Sequence, residues 1–523
     1  MIINNILEEI KMAFMDSIKN ELNNEKRITE NGAVGYRTTG KGLLDLNFSV
    51  ASLRNASEAD IIDKFIHAYF EDKLTATKWL FYARDAREGL GERRLFRVVM
   101  EEFAVQQPEI VKELIKFVPE YGRWDDLWCM LDTDMQTDIV DMVQKQLLID
   151  LNNMKLNKSV SLLGKWMPSE NASSAETKAR ATLIRNKLDM TSKYYRKMLS
   201  KLRKYIDVVE CKMSAKQWSE IDYEAVPSRA NLIYNNAFLR NDEERRREYL
   251  GKLEKGEAKI NAGVLFPHDI VHKYGRSYGV DAALEGMWKA LPDTVKGCGN
   301  TIVVADGSGS MQVRVGNTDV SALEVANSLA IYFAEHSSGE FKNKYITFSE
   351  RPQLVDFSKA KNLREKLNIA RQHNEVANTN IEAVFDLILS TAINNHMHQE
   401  DIPVNILIIS DMEFDGCATT NTVRRSGWYA SYERPTATLF ETIEKKYRAA
   451  GYKIPRLVFW NVNSRTGTIP VKENDLGVAL VSGFSVNIAK MVMSGKTDPY
   501  ECLLEALNVE RYQPIEDAIK DIC

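Results

Sequence analysis

From Glu58 onward, apolar residues recur at three- and four-residue spacing, and Ile61, Ile62, Phe65, Ile66 and Tyr69 fall on one face of a helix. The same period predicts helices over about residues 75–86, 92–105, 109–117 and 135–151. Between them lie turn-forming stretches, Glu88-Gly89-Leu90-Gly91 and Pro119-Glu120-Tyr121-Gly122. So many one-sided helices joined by short turns bury their apolar faces by stacking in antiparallel pairs, as in a HEAT-like helical-repeat solenoid. No strict sequence period accompanies them, so the repeat is a structural expectation.

The pattern changes at 292–300, where a proline and glycines thin it out. Beyond that point short Val/Ile runs alternate with helical stretches, which predicts a parallel sheet wrapped by helices in an α/β doubly wound domain. The expected strands begin with Thr301-Ile302-Val303-Val304-Ala305 and continue near 345–348, 404–409, 457–462 and 478–481. Helices are expected at 321–334, 362–370 and 381–393. The resulting division is a lead-in helix and loop (1–45), expected to be partly mobile unless it docks, then a helical domain (46–294), an α/β domain (295–495) and a helical tail (496–523).

With 523 residues, 44% hydrophobic and 27% charged, the chain is long enough for two or three folded domains and is neither disordered nor fibrous. No apolar run approaches the roughly 18 residues needed to span a membrane. The amino terminus has no signal-peptide core, so a cytoplasmic location is expected. Six scattered cysteines without a CxxC pair disfavour a zinc site and a disulfide framework, and point to buried reduced thiols. The net charge of −4 hides one strongly basic stretch.

That stretch contains Lys178, Arg180, Arg185, Lys187, Lys193, Arg196, Lys197, Lys201, Arg203 and Lys204, with Asp189 the only acid and Tyr194, Tyr195 and Tyr205 interleaved. On helices it makes a basic face with aromatic groups, suited to phosphates and to stacking of unpaired bases. The plainer reading is a solvated face covering Leu183, Ile184, Leu188, Met198, Leu199 and Leu202. Lys165 could reach a phosphate beside it, with Trp166 anchoring its turn in the core. Arg93, Arg94 and Arg97 form a weaker patch that could equally pair with carbonyls of the preceding helix. Trp124 and Trp128, at helical spacing, are expected in the core.

The first α/β strand ends in Asp306-Gly307-Ser308-Gly309-Ser310. The glycines let the backbone turn tightly, so Asp306, Ser308 and Ser310 can aim oxygens at one hard cation such as magnesium, manganese or calcium. Right-handed crossovers would bring Thr379, at a loop-to-helix start, and Asp411, after another apolar strand, to the same side of the sheet. This five-part constellation resembles the metal-ion-dependent adhesion site of von Willebrand factor A domains. The resemblance implies that Asp306, Ser308, Ser310, Thr379 and Asp411 are ligand positions for a divalent cation, Mg2+ first, with a coordination place open to a partner's acid. Asn378 stands where that family often has glycine.

In the helical half, Phe81-Tyr82-Ala83-Arg84-Asp85-Ala86-Arg87-Glu88-Gly89-Leu90-Gly91-Glu92-Arg93-Arg94, Tyr121-Gly122-Arg123-Trp124-Asp125-Asp126-Leu127 and Leu163-Gly164-Lys165-Trp166-Met167-Pro168-Ser169 resemble Ro (TROVE-type) ribonucleoprotein proteins. They are similar in particular to an uncharacterised Ro-like family of phages, bacteria and plants, which also matches Val226-Pro227-Ser228 and Phe266-Pro267-His268. The resemblance implies a ring of helical repeats closed by a von Willebrand A domain, and a monomer. It further implies binding of small noncoding or misfolded RNA, with the basic residues Lys165 and 178–204 as the contact surface.

An enzyme is not expected: Ser308 and Ser310 have no histidine at an activating spacing, and Gly307-Ser308-Gly309 is too short for a phosphate loop. His396 and His398 read as exposed helix-end residues, and nothing in the sequence joins Asp125-Asp126 to Asp411 and Asp415 as a two-metal centre. The competing hypothesis is a scaffold on which the ion bridges to a carboxylate of a protein partner.

Overall fold

The computed structural model describes residues 26–277, 279–295, 300–348, 352–373, 380–414, 423–426, 429–432, 439–470, 478–492 and 498–522. A short antiparallel hairpin, β1 (Lys26–Ile28) and β2 (Val34–Tyr36), precedes the helices α1 (Gly42–Leu53), α2 (Glu58–Glu71), α3 (Lys73–Arg84), α4 (Arg94–Gln106) and α5 (Pro108–Leu114). Next come α6 (Gln136–Lys155), α7 (Ala175–Lys187), α8 (Ser192–Tyr205), α9 (Ser228–Asn241), α10 (Glu243–Glu254), α11 (Pro267–Gly275) and α12 (Ala282–Lys289). The apolar face read from the sequence is the buried one in α2, where Ile61, Phe65, Ile66 and Tyr69 are covered, and Ser57 with Asp60 caps its start.

The turns carry packing as well as direction. Between α3 and α4 a side chain at Gly89 would meet the Tyr82 carbonyl oxygen at 1.9 Å, and Gly91 has φ +74°. Buried charges lie beside these turns. Asp126, fully buried, accepts from Arg84 Nε at 2.8 Å, Arg97 Nε at 2.7 Å and the Arg123 amide at 2.9 Å. Glu92 takes Arg54 Nη2 at 2.6 Å.

The carboxyl-terminal half holds β3 (Thr301–Asp306), α13 (Ala322–His336), β4 (Lys344–Phe348), β5 (Gln353–Asp356), α14 (Leu363–Gln372), α15 (Ile381–Asn394) and β6 (Asn405–Ser410). It continues with a small hairpin, β7 (Val423–Ser426) and β8 (Tyr429–Tyr432), then α16 (Leu439–Ala449), β9 (Arg456–Asn461) and β10 (Val478–Ser482). Six strands form one sheet in the order β10-β9-β6-β3-β4-β5, parallel throughout except for β5. The antiparallel edge strand β5 had no signal in the sequence pattern, because its Gln353-Leu354-Val355-Asp356 is short and half polar. β3 and β6 are buried almost throughout, as their Val/Ile runs require.

Described segments near both ends of the sequence cross over to the other half. α1 lies against β10, with the Ala51 amide donating to Ser482 Oγ at 3.0 Å and Asn461 Nδ2 donating to the Phe48 carbonyl at 2.8 Å. The tail helices α17 (Pro499–Leu507) and α18 (Gln513–Ile519) return to α3, where Lys78 Nζ meets Glu516 at 2.6 Å and Asn508 at 2.7 Å. One continuous apolar core therefore runs through both halves. Of the cysteines described, Cys502 is buried and Cys129 half-buried, but Cys211 is exposed, because the short helix carrying it presents only Val209 to the core.

Candidate metal site and basic face

The sheet order dictates where a site forms. From β3 the chain moves outward to β4 and β5, then returns to place β6 on the other side of β3. Open α/β sheets bind ligands at the carboxyl ends of strands flanking such a reversal. Those ends are Asp306 on β3 and Ser410-Asp411 on β6.

Four of the five expected ligand residues lie in described segments, and these four converge. Ser410 Oγ donates to Asp306 Oδ2 at 2.7 Å, and the Ser308 amide donates to Asp306 Oδ1 at 2.9 Å. The Ser308 and Ser310 hydroxyls are 2.9 Å apart, and Ser310 also hydrogen-bonds Asp411. Asp306, Ser308 and Asp411 are buried. Burial, and then the Asp306 carboxylate, push the Asp411 carboxyl well above its usual range; the Ser310 hydroxyl and the Glu413 amide pull the other way. Thr379, with Asn378, lies outside the described residues, as does Asp415.

Two buried carboxylates crowded together with two hydroxyls are a donor set that gains from a hard cation, and oxygen donors of this kind suit magnesium or manganese. Among the described residues no group of three or more His, Cys, Asp or Glu is placed to hold a metal. A cation bound between Asp306 and Asp411 would draw on the neighbouring Ser308 and Ser310 hydroxyls as well as on the two acids.

Three further residues build the site's rim without a prior signal in the sequence. Glu413, fully buried, accepts from the Glu30 amide at 2.9 Å, the Arg465 amide at 3.0 Å and the Thr466 amide at 2.9 Å. Arg465 Nη2 lies 3.6 Å from Asp411 Oδ2 and 2.6 Å from Glu30 Oε2. The spacing Asp411-Met412-Glu413 after a buried strand was the only available hint, since Glu30 and Arg465 come from distant parts of the chain.

The basic stretch divides by what each side chain touches. Arg203 donates to the Gly164 and Met167 carbonyls at 3.0 and 2.7 Å and to Ser169 Oγ at 2.7 Å. Arg185 pairs with Glu170 at 2.8 Å, and Arg180 with Glu176 at 2.7 Å. Lys165 Nζ sits 5.4 Å from the Trp166 ring centroid, and the Arg123 guanidinium stacks on the same ring at 3.9 Å.

Lys178, Lys187, Lys193, Lys197, Lys201 and Lys204 are exposed, and among the described residues none has an ion-pair partner within 4.0 Å. Arg196 is exposed 3.8 Å from Glu170. On α8 the lysines at 193, 197, 201 and 204 follow helical spacing, opposite the buried Tyr195, Met198, Leu199 and Leu202. Tyr194 is 53% exposed beside them.

Of the three arginines in the weaker patch, Arg94 and Arg97 have structural partners. Arg94 donates to the Leu53 and Ala56 carbonyls, and Arg97 binds Asp125 and Asp126. Trp124 and Trp128 are buried, and His396 and His398 are exposed.

Residues 134–301 match a family described as a domain of unknown function (DUF2828), and residues 300–516 match another so described (DUF7788). The solved structure of the Ro (RSR) protein of Deinococcus radiodurans is similar over 85% of this chain and 93% of that one, at 13% identity and a TM-score of 0.35, a likeness too loose to show fold or function. The uncharacterized protein L728 of Acanthamoeba polyphaga mimivirus is 30% identical over 527 residues, covering 93% of this chain and 88% of that protein. With that identity sustained across nearly the whole of both chains, the chain belongs to the family of this mimivirus protein.

Proposed function

We propose that this is a Ro-like, non-catalytic RNA-binding protein. In this reading a HEAT-like helical ring carries the RNA surface and a von Willebrand A-type domain holds a divalent cation. The protein works as a monomer in the cytoplasm and binds small structured or misfolded RNA. The observation that carries the reading is the lysine stripe of α8. On α10, cations are matched by acids one turn away, Arg247 with Glu243 and Lys252 with Glu248, both at 2.7–2.8 Å. A merely solvated helix face is built that way. No acid lies within α8 and, among the described residues, none pairs with these lysines, and leaving four cations on one stripe without counter-charges costs self-repulsion that a polyanion would relieve. The exposed Tyr194 adds a stacking platform for an unpaired base.

The test is a titration of nuclease-treated protein against a structured RNA with a single-stranded tail at two salt concentrations. Tight, salt-sensitive binding lost in a Lys193→Glu, Lys197→Glu, Lys201→Glu, Lys204→Glu variant supports the reading. Binding that the variant keeps unchanged overturns the α8 assignment.

A second reading, a scaffold that recognises a partner's carboxylate through the ion, is favoured by the convergence of Asp306, Ser308, Ser310 and Asp411. It predicts partner binding lost on chelation and in Asp306→Ala, with little dependence on the α8 lysines.

A further inference from the structure

The hairpin β1–β2 is sewn to the rim of the ion site by contacts that span almost the whole sequence. Thr29 Oγ1 donates to the Phe414 carbonyl at 2.6 Å and Asn31 Nδ2 to the Glu413 carbonyl at 2.7 Å. Tyr36 and Ile469 exchange backbone hydrogen bonds at 2.7 and 2.8 Å. Between these anchors the Glu30 amide is held by the buried Glu413 carboxylate, which also holds the Arg465 and Thr466 amides. One buried acid thus fixes the two backbone segments that bring Glu30 and Arg465 to Asp411.

The side chains at that junction form a chain of alternating charge. Asp411, almost fully buried, faces the half-exposed Arg465, and the same Arg465 nitrogen binds Glu30, whose side chain is 55% exposed. The Glu30 and Asp411 carboxylates are therefore separated by a single guanidinium nitrogen. Opposite ligands of a bound magnesium lie about 4 Å apart, and the 2.6 and 3.6 Å contacts to that one nitrogen place Glu30 next to Asp411.

We propose that the amino-terminal hairpin is a built-in cap of the ion site, in which Glu30 takes the place of an incoming carboxylate and Arg465 competes with the cation for Asp411. The cap rests on the ion-site reading of Asp306, Ser308, Ser310 and Asp411. A divalent cation at Asp411 repels the Arg465 guanidinium, frees Glu30 from its pair and accepts it directly or through water. A carboxylate from another molecule then has to displace Glu30 before it can bind.

The test is manganese binding to the full chain, followed by calorimetry and electron paramagnetic resonance, with sodium acetate as the probe carboxylate. Glu30→Gln is expected to weaken manganese about tenfold, and Arg465→Gln to strengthen it about tenfold, each a single screened charge at short range. Acetate is expected to alter the manganese spectrum in Glu30→Gln and to leave the wild type unchanged. Circular dichroism checks that these exposed positions leave the fold intact. If Asp306→Ala abolishes manganese binding while Glu30→Gln binds as wild type and acetate acts on both alike, the cap is overturned and the ion site stands. If the wild type takes up no manganese, or Asp306→Ala takes up as much, the ion site falls and the cap with it.

Discussion

Asp85 at the end of α3 and Arg511 in the carboxyl-terminal tail, 426 positions apart, form a two-pronged pair, Nε to Oδ2 at 2.5 Å and Nη2 to Oδ1 at 3.1 Å. Asp85 is fully buried, and Tyr512 donates to it as well at 3.1 Å. Removing one partner of a buried pair strands the other charge, at a cost of about 3–5 kcal/mol. Arg511→Ala is therefore expected to lower global stability by that order and to release α17–α18 from α3. Urea unfolding with hydrogen exchange over 498–522 measures both; a loss below about 1 kcal/mol would show that the tail is not a structural part of the helical half.

His268 couples stability to pH. Its ring stacks on Phe266 at 5.4 Å and meets Phe484 of the α/β half edge-on at 5.3 Å. Burial lowers its pKa from 6.5 to about 4, with nearby Arg54 and Arg229 acting in the same direction and Asp269 against. The unfolded chain binds a proton that the folded one refuses, so this contribution is fully present above pH 6.5 and is lost as pH falls toward 4. Its size is about 3 kcal/mol. The stability difference between wild type and His268→Phe should shift by that order between pH 7 and pH 4.5 in urea titrations, and a difference constant with pH would refute it.

Glu413→Gln should loosen the hairpin without unfolding the sheet. The carboxylate accepts from three backbone amides and from Thr466 Oγ1, and an amide in its place turns one acceptor into a donor facing those N–H groups. Hydrogen exchange at 26–36 and 464–469 is expected to rise at least tenfold while β3 and β6 stay protected.

Cation binding should appear as stabilisation. A ligand that binds only the folded state adds about 2.7 kcal/mol at a hundredfold excess over its Kd. Magnesium or manganese is therefore expected to raise the melting temperature of the wild type and leave that of Asp306→Ala where chelator sets it. Equal shifts in the two proteins would place the ion elsewhere.

Salt dependence should dissect the basic face residue by residue. Each phosphate contact removed lowers the slope of log affinity against log salt by about one. Lys197→Ala and Lys201→Ala are each expected to do so, whereas Arg203→Ala should instead lower stability, because its donors are spent on the 164–169 backbone. A reduced slope for Arg203→Ala at unchanged stability would reverse that division.

Local periodicity alone determined most of the secondary structure. The helix of Ile61, Phe65 and Tyr69, the buried run of β3 and the thinning at 292–300 are all short-range signals, because helix faces and doubly covered strands repeat within a few residues. The ordered triplet Asp306, Ser308 and Ser310, with Asp411 at a second strand end, was legible for the same reason: parallel strands align their carboxyl ends. The charge pattern of 178–204 was equally visible, but which cations stay exposed was not. Arg203 and Lys204 look alike in sequence, and only the packing of α8 against 164–169 separates them. The tertiary structure alone decided the long-range pairs, Asp85 with Arg511, Glu413 with Glu30 and Arg465, and His268 between two aromatic rings. Such contacts leave no periodic trace, because their geometry depends on how two distant segments meet and not on the spacing of residues within either.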